Sequence, residues 1–386
     1  MKVLIDSQPL LQTKTGIGYY CYNLVNTLQR IQSGDEFVAL YNKSKMPPKG
    51  VHVRGEELHI KYPYKGIRNI MGPRLLYNIP LEKFAGGFDV YHGTNFAIVP
   101  TAKAATVITI HDMAFKLFPE TIGRSNLRYL TNWLKYMVTK STKVIAVSKN
   151  TKKDITNFLN IDPGKIHVTP LAADSIYRPI SEDDSYMDVV REKYALPNKF
   201  ILYLGMLEPR KNLTALIEAY KLVSDRTGCE HKLVLAGKAG WLCDSIYEKI
   251  QVLNLSAKVI FTGYVDLHDL PYFYNLATVF AYVSKYEGFG LPPLEAMQCG
   301  TPVVVSNVAS LPEVVGDAGL FVEQNDVNDI AMGIEKVLES QALQKILRQK
   351  GIRRAAEFNW KATAQKTIEC YRAAAEERDL RLGKSS

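Results

Sequence analysis

Short apolar runs that read as buried strands recur along the whole chain, with helical periodicity between them. Val3–Ile5, Phe37–Tyr41, Val90–His92, Val107–Ile110 and Val144–Val147 come first; Phe200–Leu204, Lys232–Leu235, Val259–Phe261, Val279–Val283 and Pro302–Ser306 follow. Stretches such as Tyr20–Ile31, Leu213–Leu222 and Asp329–Leu338 carry apolar residues at helical spacing. Strand–helix–strand alternation builds parallel sheets covered on both faces, so the pattern implies an α/β protein of doubly wound domains. The pattern breaks in Asp174–Asn198, where Pro179, the polar run Ser181–Ser185 and Pro197 interrupt it. A chain of 386 residues has room for two cores, expected over residues 1–178 and 195–360. There is no internal repeat.

Composition narrows the classes. Hydrophobic residues are 47% and charged residues 23%, as in ordinary globular proteins. Met1–Asp6 reads as a strand rather than a leader, because Asp6 cuts the apolar run short. No apolar stretch approaches the length of a bilayer span. Five scattered cysteines, odd in number and without a CxxC pair, read as reduced thiols of a cytoplasmic protein. Residues 1–180 hold 24 Lys+Arg against 12 Asp+Glu, a balance of +12, whereas the remainder stands at −3. Part of that excess is interleaved with aromatics: Lys61 to Phe84, with Tyr62, Tyr64, Lys65, Arg68, Arg74 and Tyr77, and Arg124 to Lys143, with Arg128, Tyr129, Trp133, Lys135, Tyr136 and Lys140. Such stretches suit an anionic membrane surface, the alternative being a solvated basic face over core aromatics. Nucleic acid is not expected, since no nucleic-acid motif accompanies the charge.

Parallel strands present their C-terminal ends to ligands, so chemistry is sought there. Glu287-Gly288-Phe289-Gly290-Leu291-Pro292-Pro293-Leu294-Glu295 follows a strand and enters a helix, with seven residues between its two glutamates. Pro292 and Pro293 suit a first helical turn, which places Glu295 about two turns in. Acidic acceptors beside backbone N–H groups match sugar hydroxyls and oxyanions; a plain loop with two solvated glutamates is the alternative. Gly205-Met206-Leu207-Glu208-Pro209-Arg210-Lys211-Asn212 closes another strand, and its two cations at a helix entrance suit a diphosphate. Lys14-Thr15-Gly16-Ile17-Gly18 lies between the first strand and first helix, where Gly16 and Gly18 permit close backbone approach. Cys21 stands where GxGxxG would have its third glycine, which disfavours an NAD-dependent oxidoreductase. His111 and Asp112 end one strand, His92 and Asn95 follow another, and all are candidate sugar contacts; a structural histidine is the alternative for His111. Ser148 is expected to cap a helix that starts at Lys149. No DxD, HxxxH or Cys/His cluster marks a metal site.

Taken together, these segments resemble the retaining glycosyltransferases of family 4, which have the GT-B fold. The resemblance rests on Glu287 and Glu295 as the paired glutamates, Gly205 through Asn212 as the phosphate loop, the Gly16–Gly18 loop, and Thr109-Ile110-His111-Asp112. It implies two Rossmann-like domains facing a central cleft, with a final helix (about 365–386) returning to the N-terminal, acceptor-side domain. It further implies a donor site of Gly16, Gly18, Gly205, Val265, Gly288, Phe289, Gly290, Leu291 and Glu295. Glu287 would contact donor-sugar hydroxyls and Glu295 the ribose. Arg210 and Lys211 would stabilise the departing diphosphate, and His111 would orient the sugar. Asn95, His92 and Asp112 would face the acceptor, and base recognition would fall in Thr262–Val265. No metal or other cofactor is expected. The expected reaction moves mannose or glucose from UDP or GDP to a saccharide or lipid-linked acceptor, in surface polysaccharide synthesis. Its expected setting is cytoplasmic, with a peripheral position at the inner membrane face allowed. A GT-B nucleotide-sugar epimerase is the nearest alternative.

Overall fold

The computed structural model describes residues 1–11, 16–42, 53–62, 79–240 and 243–383. Strands β1 (Lys2–Asp6), β2 (Glu36–Asn42), β3 (Glu57–Ile60), β4 (Val90–Gly93), β5 (Ala105–Ile110), β6 (Lys143–Ala146) and β7 (Ile166–Val168) form one sheet, in the order β3-β2-β1-β4-β5-β6-β7. Strands β8 (Phe200–Leu204), β9 (Lys232–Ala236), β10 (Val259–Gly263), β11 (Val279–Tyr282), β12 (Val303–Ser306) and β13 (Leu320–Val322) form a second, in the order β10-β9-β8-β11-β12-β13. All pairings are parallel. The ten strands anticipated from apolar runs are present. The three that were not, β3, β7 and β13, are short and lie at sheet edges. An edge strand needs no two-sided apolar run, so it leaves little trace in a sequence.

The chain divides into two compact units, Met1–Leu171 with Asn359–Ser386, and Ala172–Phe358. In the first, the sheet core of Leu4, Val38, Ile108 and Ile110 is covered by the helix Arg124–Lys140 through Leu130, Leu134, Met137 and Val138. Arg124, Arg128, Lys135 and Lys140 of that helix are exposed, while Tyr129, Trp133 and Tyr136 pack partly against the core. Tyr64, Lys65, Arg68, Arg74 and Tyr77 of the other basic stretch lie outside the described residues. The last helix, Trp360–Arg381, is capped by Asn359, whose side chain accepts from the Ala362 N–H at 2.8 Å. It docks on this sheet through Tyr371, which lies against His92 with an O···Nδ1 distance of 2.7 Å. Glu377 pairs with Lys143 at 2.9 Å. Among the described residues no helix is long and apolar enough to cross a membrane.

The stretch where the pattern breaks carries a helix, Tyr186–Lys193, and belongs to the second unit from Ala172 onward. Its anchor is polar. Asp269, fully buried, accepts from Lys193 Nζ at 2.7 Å, Tyr194 OH at 2.8 Å and Tyr186 OH at 3.0 Å. Gln298 Nε2 holds the preceding segment by donating to the carbonyls of Asp174 and Tyr177. Burial opposes ionisation of Asp269, but the Lys193 ammonium and the two hydroxyls outweigh it and lower its pKa. Asp269→Ala is expected to cost about 2–3 kcal/mol in urea unfolding, since hydrogen bonds to a charged acceptor are lost. A depressed folded pKa gives stability that is present above the unfolded value and lost as pH falls through the folded one. The difference between wild type and variant should therefore narrow below the ordinary aspartate value of 3.8.

Candidate functional site

In the second sheet the strand order reverses between β8 and β11, and the carboxyl ends of those two strands carry the charged residues. After β8 the chain makes a short turn, Pro209–Lys211. Asn212 follows in the left-handed region (φ 60°), and only then does the helix Leu213–Thr227 begin. Arg210 and Lys211 therefore precede the helix rather than occupying its first turn. The Asn212 amide fixes the turn by donating to the carbonyls of Val283 (3.2 Å) and Gln324 (2.7 Å).

This turn brings Arg210, Lys211 and Glu287 together. Lys211 Nζ lies 2.7 Å from Glu287 Oε1 and donates to Tyr282 OH at 2.7 Å. Arg210 Nη1 donates to the Tyr286 carbonyl at 2.7 Å and lies 3.3 Å from Glu287 Oε2, while Nη2 lies 2.7 Å from Glu208 Oε1. Glu208, Lys211 and Glu287 are each less than one-tenth exposed. Burial pushes Glu287 up, but the Lys211 and Arg210 charges prevail and hold it at about 2. Burial pulls the Lys211 ammonium down from the ordinary lysine range, against the opposing pull of Glu287. The two acids and two bases balance one another. A diphosphate would have to exchange with the carboxylates to reach the cations. Glu208 and Tyr282 were missed as site residues: the first lay unassigned inside the phosphate loop, and the second read as a core strand position.

Glu295 has different partners. It lies just over one turn into the helix Leu291–Cys299, not two, because that helix opens at Leu291 after Gly290 (φ 107°). Tyr274 OH donates to Glu295 Oε2 at 2.8 Å. Burial pushes the carboxyl up to about 7, held back by bonds from Tyr274 and Tyr177. Ser310 Oγ holds the loop between the glutamates by bonding the carbonyls of Glu287 (2.8 Å) and Phe289 (2.7 Å). Beyond the neighbouring strands, Gly205 N donates to Ala236 O and Gly237 N to Gly263 O, tying together the ends of β8, β9 and β10. A Cβ on Gly237 (φ 140°) would lie 1.9 Å from Gly205 O, so this floor admits no side chain. Val265 is buried, and Tyr264 is 51% exposed with Lys238 Nζ 4.6 Å from its ring centroid.

In the first unit, His111 follows β5. Its Nε2 donates to the Thr94 carbonyl at 2.8 Å, and its ring stands edge-on to Tyr20 at 5.0 Å. Burial lowers its pKa below 6.5, leaving a neutral ring. With the proton on Nε2, Nδ1 carries a lone pair. It suits accepting from a hydroxyl. His92 is corrected outright. It is fully buried, its nitrogens lie 2.7 Å from Tyr371 OH and 2.7 Å from Thr109 Oγ1, and burial lowers it to about 3. Thr109 in turn meets Tyr20 OH at 3.0 Å, so His92 belongs to an internal network. Asp112 caps a turn by accepting from the Ala114 N–H at 3.0 Å, whereas Asn95 is exposed. Gly16 opens the helix Gly16–Leu28 with open space around it, and Gly18 is buried; Lys14 and Thr15 lie outside the described residues. Ser148 caps Lys149–Leu159, accepting from Thr151 N at 2.9 Å, as expected. Among the described residues no three His, Cys, Asp or Glu gather as a metal site.

Comparison with known proteins decides the family. A model of glycosyltransferase family 4 matches residues 14–175, and one of glycosyl transferases group 1 matches residues 188–354. O-antigen chain mannosyltransferase B of Escherichia coli is 34% identical over 389 residues, covering 96% of this chain and 100% of the relative. The chain belongs to glycosyltransferase family 4. The serotype-specific mannosyltransferase WbdA of Escherichia coli is also 34% identical, over 271 residues, covering 69% of this chain and 33% of that longer protein. Among solved structures, sucrose-phosphate synthase from Thermosynechococcus elongatus has a TM-score of 0.74 at 20% identity, covering 96% of this chain and 98% of that one. Anabaena HepE in complex with UDP and glucose has a TM-score of 0.74 at 18% identity, with the same coverage. These likenesses show the fold, GT-B, with two Rossmann-like domains. The family 4 enzyme is thus a glycosyltransferase.

Lys211→Met in this enzyme leaves Glu287 buried with Arg210 as its remaining cation. Removing one partner of a buried pair costs 3–5 kcal/mol, so about 3 kcal/mol is expected here. Adding Glu287→Gln should restore most of it, and a double-mutant cycle in urea measures the coupling.

Proposed function

We propose that this family 4 enzyme transfers mannose, with retention of configuration and without a metal, from a nucleoside diphosphate sugar to a saccharide acceptor. The full-length identity to an O-antigen chain mannosyltransferase carries the choice of mannose. The buried Arg210–Lys211–Glu287 cluster supports the chemistry. Cleaving the anomeric bond places negative charge on the leaving diphosphate and positive character on the sugar ring. Arg210 and Lys211 are preorganised to meet the first, which is the role a divalent ion would otherwise take. As the donor's phosphates draw the cations, Glu287 is released to accept from sugar hydroxyls. Glu295 would receive the ribose, and His111 Nδ1 would accept from a substrate hydroxyl. Tyr264 and Lys238, beside the glycine floor at the ends of β8, β9 and β10, are suited to the nucleobase. Retention is the stereochemistry of the family that the paired glutamates resemble, with the leaving phosphate deprotonating the acceptor from the same face.

The test is turnover of GDP-mannose and UDP-glucose in the presence of EDTA, with product anomers resolved by proton NMR. The expected result is turnover of GDP-mannose, unaffected by chelation, with an α product. Activity that EDTA abolishes, or an inverted product, would overturn the mechanism. Arg210→Ala should lower kcat by about 10²–10³. His111 stays neutral on burial, so its protonation should not depress kcat as pH falls from 8 to 6.5. A pH profile of wild type beside His111→Ala measures this.

A further inference from the structure

In the first sheet the strand order reverses between β1 and β4, where an open parallel sheet leaves a crevice at the carboxyl ends. A small cavity of ≈ 30 Å³ lies at those ends. Asp6 comes from β1, Leu40 and Asn42 from β2, Ile60 from β3 and Tyr91 from β4, and Gln8 closes it. That volume holds a hydroxyl or hydroxymethyl group, not a whole sugar ring.

Among the described residues one of its polar groups is not spent on the fold, and a second has only neutral partners. Gln8 Nε2 is buried with no hydrogen-bond partner among the described residues. The partners of the Asp6 carboxyl are neutral, the Gln8 main-chain N–H at 3.0 Å and the Tyr91 hydroxyl. Burial accordingly pushes this carboxyl up to about 6. Asn42, by contrast, is consumed by both main-chain groups of Tyr62. Among the described residues, a partly exposed carboxyl with no cation lies beside a buried amide nitrogen with no acceptor, and one ligand can relieve both. A phosphate would be repelled by the carboxylate. A divalent cation would find a single carboxylate where it needs six or more oxygens. A hydroxyl fits: it donates to Asp6, accepts from Gln8 Nε2, and lays its carbon against Leu40 and Ile60.

We propose that this cavity seats a hydroxyl-bearing group of the neutral saccharide acceptor, with Asp6 and Gln8 as its binding residues. The inference rests on the transferase reading above. It moves acceptor recognition from His92, which is internal, to the reversal point of the first sheet.

The test is saturation-transfer NMR of the full chain with methyl α-mannopyranoside, beside hydrolysis of GDP-mannose measured without any acceptor. Asp6→Asn and Gln8→Ala are expected to weaken mannoside binding about ten-fold, as loss of a hydrogen bond to a buried polar partner does, and to leave donor hydrolysis unchanged. Unaltered mannoside binding in both variants overturns the proposal. A parallel fall in mannoside binding and donor hydrolysis overturns it as well, because that pattern marks a general structural role. If wild type binds the mannoside, loses it in the variants and turns over no nucleotide sugar, the transferase reading falls and the cavity assignment stands.

Discussion

A parallel strand can be re-entered only from one end, so each strand of these two sheets is followed by a return along the outside of the sheet. That constraint aligns every carboxyl end along one edge and leaves the chemistry nowhere else to gather. Both sheets reverse their strand order once, between β1 and β4 and between β8 and β11. Asp6 and the Gly93–Phe96 loop follow from the first reversal, and Gly205 through Lys211 with Glu287 from the second. Backbones crowd at those places. A Cβ on Gly93 would lie 1.8 Å from Ala97 O, and one on Gly237 would lie 1.9 Å from Gly205 O. Glycine is required there by close approach, not by loop flexibility.

The second unit encloses Glu208, Arg210, Lys211 and Glu287 where a tightly packed apolar cluster would serve stability at least as well. Four charges removed from water cost more desolvation than their mutual attraction reliably returns. Their retention fits a site whose internal ion pairs are exchanged for ligand contacts. The polar groups of the first unit divide differently. His92, Thr109, Tyr20 and Tyr371 satisfy one another completely and bind the last helix to the sheet. Gln8 Nε2 is left without a partner among the described residues, at a cavity that Asp6 also lines.

Much of this was legible beforehand because interior strands of a doubly wound sheet must be apolar on both faces. Phe200–Leu204 and Val279–Tyr282 could hardly be read otherwise. Pro292, Pro293 and Gly290 marked the helix start after Glu287, and Ser148 its own cap, since capping and first-turn preferences are local. Partners distant in sequence were not legible. The pairing of Glu295 with Tyr274, of Lys193 with Asp269 and of His92 with Tyr371 spans 21, 76 and 279 residues. His92 and His111 look alike as strand-end histidines. Only the arrival of the C-terminal helix makes one of them internal.

By itself, then, the sequence determined the class of fold, the interior strands and the segments at which charge and glycine meet, because periodicity, propensity and turn chemistry act over a few residues. Tertiary structure alone decided which of those side chains remain available. It neutralised Arg210 and Lys211 with Glu208 and Glu287, committed His111 Nε2 to the Thr94 carbonyl, and left Gln8 Nε2 without a partner among the described residues. The physical reason is that a polar group's role depends on what burial removes and what neighbours return. Both are set by packing between segments that the chain keeps far apart.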